Sequence, residues 1–256
     1  MKDLNGVTAI VTGGASGMGA ATGRALAEAG ARVSLWDRNI EAAQTLAQEI
    51  GGIAIECDVT DEASVKVALE ASGTPRILVN CAGILLGERI VGREGPACLE
   101  NFSKVIQVNL IGTFNVMRLV AQKMSTLDPV TDSGERGVII NTASISAYEG
   151  QIGQAAYSAS KGGIVGMILP AARELAMFGI RVMAIAPGAV ATPMIGEVSP
   201  EIQEALEAGI PFPKRMARPE EFADLALHIV QNEMLNGEVI RLDGAARLPS
   251  KPNEKS

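Results

Sequence analysis

Apolar residues fall into seven short runs, the first being Val7-Thr8-Ala9-Ile10-Val11 and the second Arg32-Val33-Ser34-Leu35-Trp36. Such β-rich runs, apolar at successive positions, predict strands near 7–11, 32–36, 53–57, 76–80, 137–142, 180–185 and 238–241. Between them the spacing shifts to three or four residues, which predicts helices near 18–29, 40–50, 61–72, 99–124, 155–178 and 218–231. Strands that alternate with helices imply an α/β, doubly wound, seven-stranded parallel sheet with helices on both faces. In such a sheet a ligand lies outside the carboxyl ends of the strands. There is no internal repeat at fixed period.

The breaks in the pattern delimit one unit, 1–248, followed by a polar tail, 249–256, expected to fray. Residues 84–98 and 125–136 are polar or punctuated by glycine, which suits a surface loop or a partner contact equally well. From Thr192 to Pro213, four prolines surround a short helical pattern.

Composition narrows the classes. A chain of 256 residues that is 47% apolar can bury a substantial core, which fits one α/β domain without a separate module. A net charge of −7 and a pI near 4.9 argue against nonspecific nucleic-acid binding, and no such role is expected. No stretch approaches the ~20 apolar residues that span a bilayer, and no signal-peptide pattern precedes the first strand. A cytoplasmic protein without membrane association is expected. Cys57, Cys81 and Cys98 are scattered and odd in number, which fits reduced thiols. The single histidine, His228, leaves no metal-ligand cluster in view.

Candidate chemistry sits in two places. Thr12-Gly13-Gly14-Ala15-Ser16-Gly17-Met18-Gly19 joins the first strand to an alanine-rich helix. Glycines there let the backbone turn tightly, approach a pyrophosphate and bring the helix N-terminus to the phosphates. Alone, the run also suits an ordinary glycine-rich turn, since its spacing departs from G-x-G-x-x-G. Asp37, at the end of the second strand, stands where a carboxylate accepts bonds from an adenosine ribose and repels a 2′-phosphate. Arg38 beside it is read as exposed. The second place is Tyr157-Ser158-Ala159-Ser160-Lys161. Residues four apart on a helix share a face, so the ammonium of Lys161 can stabilise a Tyr157 phenolate, which otherwise forms only near pH ~10.

Together these residues reach a family. The chain resembles the short-chain dehydrogenases/reductases in Thr12-Gly13-(x3)-Gly17-Met18-Gly19, Asp58, Asn80-Cys81-Ala82-Gly83, Asn109, Ser144, Tyr157-(x3)-Lys161 and Pro187-Gly188. Long stretches at 109–116, 136–144, 153–167 and 235–245 resemble in particular the type 2 3-hydroxyacyl-CoA dehydrogenases, the 17β-hydroxysteroid dehydrogenase type 10 group. The resemblance implies a single-domain Rossmann fold with a mobile substrate lid at about 192–213. It implies catalysis by Asn109, Ser144, Tyr157 and Lys161, with Asn109 holding a water that relays protons to Lys161.

For NAD, the resemblance implies contacts from Gly13, Ser16, Gly17, Met18, Asp37, Asp58, Val59, Asn80, Ala82, Gly83, Tyr157, Lys161, Pro187, Gly188, Val190 and Thr192. For substrate it implies Ser144, Tyr157, Gln151 and Gln154. No obvious basic cluster for CoA phosphates stands out; Lys214, Arg215 and Arg218 beside the lid suit that role and solvated surface charge equally well. The expected reaction interconverts a 3-hydroxyacyl-CoA and a 3-oxoacyl-CoA in a homotetramer. An alcohol, hydroxysteroid or other ketone dehydrogenase and a 3-oxoacyl-carrier-protein reductase stay open, as does a dinucleotide-binding regulatory protein. Cys81 replaces an asparagine common in the family, as a small packed thiol.

Overall fold

The computed structural model describes residues 1–193 and 200–251; the middle of the expected lid, 194–199, and the end of the tail, 252–256, lie outside the described residues. Seven strands form one parallel sheet in the order β3-β2-β1-β4-β5-β6-β7. They are β1 Thr8–Thr12, β2 Arg32–Asp37, β3 Ile53–Glu56, β4 Pro75–Asn80, β5 Gly137–Thr142, β6 Ile180–Pro187 and β7 Val239–Leu242. Each lies within two residues of its expected bounds.

The apolar runs are continuous because each central strand is covered on both sides. Ile139 and Val182 belong to one core, while Ile140 and Met183, their neighbours in sequence, belong to the other. That division follows from the two-residue side-chain period of a strand. On one face α1 (Gly17–Glu28) packs against α8 (Pro219–Gln231), with Leu26, Leu35 and Phe222 in the core below them. The remaining helices are α2 (Ile40–Ile50), α3 (Glu62–Ser72), α4 (Leu99–Ile106), α5 (Thr113–Ser125), α6 (Ala155–Leu175) and α7 (Pro200–Ala208). Val116, Met124 and Ile164, from α5 and α6, pack in the core on the sheet's other face.

One local expectation changes. The run 99–124 is not one regular helix: α4 and α5 are separated by a π-helical turn, Gln107–Gly112. A glycine ends that turn for a reason of space, since a Cβ on Gly112 would stand 2.7 Å from Val59 Cγ2. Asp61 caps α3 through a bond of 3.0 Å from Ala63 N to its carboxylate, while Asp58 accepts from Thr60 N at 2.9 Å and Thr60 Oγ1 at 2.7 Å.

Candidate active site

The sheet order reverses between β1 and β4, and a cleft of about 300 Å³ opens beyond their carboxyl ends. Its walls include Gly13, Ser16, Gly17 and Met18 from the first turn, Asp37 at the end of β2, and Asp58 and Val59 after β3. Ala82 and Gly83 after β4, with Thr192, complete the part anticipated from sequence. Lys104 and Val108 also line it and were missed. Their four-residue spacing, one helical face, was the available signal.

The glycine turn has little room for anything but hydrogen. Gly17 begins α1 with φ +53, and a Cβ on it would lie 3.2 Å from the Thr192 side chain across the cleft. A Cβ on Gly19 would stand 2.1 Å from Gly13 O, inside any contact distance. The helix N-terminus therefore meets the cleft bare, presenting unpaired N–H groups and the positive end of its dipole.

Asp37 is held rigidly, accepting from Ala15 N at 3.0 Å and Asn39 N at 2.9 Å. A carboxylate has about four acceptor sites, so capacity remains for two ribose hydroxyls. The glycine turn, the bare helix end and this carboxylate fit a dinucleotide. Arg38 is exposed, as read, and its Nε lies 3.8 Å from Asp58 Oδ2. Partial burial alone would raise the Asp58 carboxyl, but the bonds from Thr60 and the Arg38 charge hold it below its ordinary value.

Asn80, Pro187, Gly188 and Val190, also expected at the cofactor, are not among the residues that line this cleft. Asn80 is buried between strands, donating to Asn141 Oδ1 at 2.9 Å and accepting from Thr12 Oγ1 at 3.3 Å, so its side chain is spent on the sheet. Val190 is buried, 4% exposed, and bridges to Ala217. Pro187 ends β6, and Gly188 donates its N–H to Leu242 O at 2.9 Å, bringing that segment against β7.

The tyrosine site adjoins the cleft. Ser144 follows β5 in extended backbone, and its Oγ accepts from Ser146 N at 3.1 Å. Tyr157 and Lys161 share one face of α6, the ammonium 5.7 Å from the ring centroid. Burial pushes the Tyr157 phenol up, against a hydrogen bond with Ser144. Burial also lowers Lys161 to about 8, and its Nζ donates to Thr142 O at 2.7 Å. Asn109, fully buried in the π turn, donates to Ile84 O at 2.9 Å and Ser160 Oγ at 3.1 Å and accepts from Ile84 N at 2.8 Å. A Cβ on Gly83 would lie 3.3 Å from Asn109 Oδ1 and 3.8 Å from Lys161 Nζ, so the two side chains flank that glycine. Cys81, packed against Thr142 Oγ1 at 3.7 Å, is pushed by burial up to about 11 and stays a thiol.

The glutamines are less free than solvated loop residues. Gln154 Nε2 donates to Gln151 Oε1 at 3.3 Å, and Gln151 Nε2 to Pro249 O at 3.2 Å. The basic group near the lid is largely committed: Arg215 binds Glu221 twice, at 2.8 and 2.6 Å, lowering that carboxyl to about 2, and Arg218 lies 3.8 Å from it. Lys214 is exposed. Among the described residues no three His, Cys, Asp or Glu side chains converge as metal ligands, and no helix is long and apolar enough to cross a membrane.

The short chain dehydrogenase family profile matches residues 7–203. The 3-hydroxyacyl-CoA dehydrogenase type-2 of Bos taurus is 48% identical over 255 residues, 96% of this chain and 97% of that protein. The crystal structure of 3-hydroxyacyl-CoA dehydrogenase type-2 from Mycobacterium avium superposes with a TM-score of 0.94 at 45% identity, covering 98% of this chain and 100% of that one. A 3-ketoacyl-(acyl-carrier-protein) reductase from Brucella melitensis, solved with NADH, reaches a TM-score of 0.83 at 31% identity, over 94% of this chain and 98% of that one. Sequence match, superposition and the dinucleotide-shaped cleft agree: the chain belongs to the short chain dehydrogenase family, oxidoreductases that bind a nicotinamide dinucleotide.

Proposed function

We propose that the enzyme uses NAD to interconvert a 3-hydroxyacyl-CoA and a 3-oxoacyl-CoA, with Tyr157 as the acid and base. The observation that carries the chemistry is the meeting of Tyr157, Ser144 and Lys161 at the edge of the cleft. Near-half identity along the whole length to proteins named for that substrate supports the acyl-CoA reading.

The bound dinucleotide supplies or accepts the hydride. In reduction Ser144 and Tyr157 donate hydrogen bonds to the substrate oxygen, and Tyr157 releases its proton as the alkoxide develops. Its raised pKa suits that donor role. Oxidation needs the phenolate, and the Lys161 ammonium, 5.7 Å from the Tyr157 ring centroid, favours that anion electrostatically. Both amide protons of Asn109 are committed and its oxygen already accepts from Ile84 N, so a water that passes protons to Lys161 would take the second lone pair of that oxygen. Gln151 and Gln154 shape the approach to Tyr157 as a bonded pair.

Asp37 favours NAD, because its carboxylate would face the 2′-phosphate of NADP. A reducing, cytoplasmic setting suits three free cysteines. Apolar side chains left exposed on α5 and α6, Phe114 and Leu169 among them, support assembly as a homotetramer.

The test is the initial rate of acetoacetyl-CoA reduction with NADH and NADPH in parallel and simple ketones as competitors. NADH-dependent turnover of the thioester is expected. Strong ketone turnover without thioester activity would move the assignment to a general alcohol dehydrogenase, and NADPH preference with carrier-protein thioesters to a carrier-protein reductase.

A further inference from the structure

The chain beyond β7 reaches back to the loop 145–154, which separates Ser144 from Tyr157 and holds only a short 3-10 turn, Ile145–Ala147. Glu149 in that loop accepts two bonds from the Arg241 guanidinium, at 2.8 and 3.1 Å, and one from Leu248 N at 3.2 Å. Arg247 Nε adds a contact at 3.3 Å. Arg241 also lies over the Tyr148 ring, 5.4 Å from its centroid, and donates to Asp243 Oδ2 at 2.7 Å and Ala246 O at 3.1 Å. Two further bonds run the same way, from Gln151 Nε2 to Pro249 O at 3.2 Å and from Ile152 N to Ser250 O at 2.9 Å.

This pair differs from an ordinary surface ion pair. Arg241 and Glu149 are only 25% and 22% exposed, the contact is two-pronged, and the guanidinium is stacked on a ring. The hydrogen bonds from Arg241 hold the Glu149 carboxyl below its usual range. The same hub touches the segment after β6, since a Cβ on Gly188 would lie 3.0 Å from Asp243 Cβ.

We propose that Arg241 is a positioning residue of the reaction: through Glu149 it fixes the loop that sets Ser144 against Tyr157. The claim rests on the roles given to those two hydroxyls above. Arg241 touches no reacting atom; it acts by geometry, and a misplacement of about 1 Å costs of the order of 100-fold in rate.

The experiment compares Arg241→Gln with Glu149→Gln, the second nearly isosteric and so less disruptive should the first fail to fold. Acetoacetyl-CoA reduction, NADH binding by fluorescence and amide hydrogen exchange are measured on each. Expected are a fall of about 10- to 100-fold in kcat/KM, carried by both kcat and KM, with unchanged NADH affinity and faster exchange confined to 145–154. Arg241→Lys, which keeps the charge and loses the fork, should fall between. Native kcat/KM in Glu149→Gln, unchanged exchange in 145–154, or an activity loss matched by lost NADH binding would overturn the proposal. Should the unmodified enzyme fail to reduce acetoacetyl-CoA, the substrate reading fails, and the exchange measurement still decides the clamp.

Discussion

Under the proposed mechanism Asp37, Tyr157 and Lys161 carry most of the chemistry, and each has its properties set by neighbours. Asp37 is fixed by two backbone N–H groups with acceptor capacity to spare. Replacing it with Ser, while Arg38 stays, should raise the NADPH-to-NADH ratio of kcat/KM by about tenfold or more, since like charges facing each other cost several kcal/mol. An unchanged ratio would remove Asp37 from cofactor choice. Lys161 is a buried cation lowered from 10.5 to about 8, so between those values the unfolded chain binds a proton that the folded one does not. Stability gained from this group therefore rises with pH across that window. Below it the buried charge destabilises the fold, so Lys161→Met should be more stable than the parent at pH 7 and lose that advantage as pH climbs toward 10.5. Thermal melts of both proteins across this range check it; a constant difference would contradict it. At this scale the sequence was informative wherever type and spacing meet, as in Tyr157 and Lys161. It was silent where a side chain is consumed by the scaffold: nothing in the residue itself marks Asn80 as bound to Asn141 or Arg215 as bound to Glu221.

Elements place these residues through close approach. Strand β1, the glycine turn and α1 meet so tightly that a methyl on Gly19 would overlap the Gly13 carbonyl. Gly19→Ala should cost about 1–3 kcal/mol, as overpacking does, and weaken NADH binding with it. Chemical denaturation and fluorescence titration read both, and a variant with native stability and affinity would show that the turn has slack. The strands and most helices were legible because their hydrophobic periods are strong. The π turn at Gln107–Gly112 was not, because one extra residue in a helical turn barely disturbs an amphipathic pattern. It nevertheless brings Asn109 to Ile84 and Gly112 to Val59, two walls of the cleft.

At the scale of the molecule, a parallel sheet with one reversal of strand order collects the ends of β1 to β5 around one cleft and the adjoining tyrosine site. Alternation of strands and helices in sequence was enough to foresee that sheet. Contacts formed by the last residues, Arg241 with Glu149 above all, join positions 92 apart and leave no local signature. Exposed Phe114 and Leu169 belong to the same scale. Light scattering at micromolar concentration should give the mass of a homotetramer, and a monomer would reject that assembly. The most direct test of the whole account is Tyr157→Phe, assayed for acetoacetyl-CoA reduction beside NADH binding. The account predicts a loss of about 100-fold or more in turnover with NADH affinity retained. Turnover persisting in that variant would contradict it.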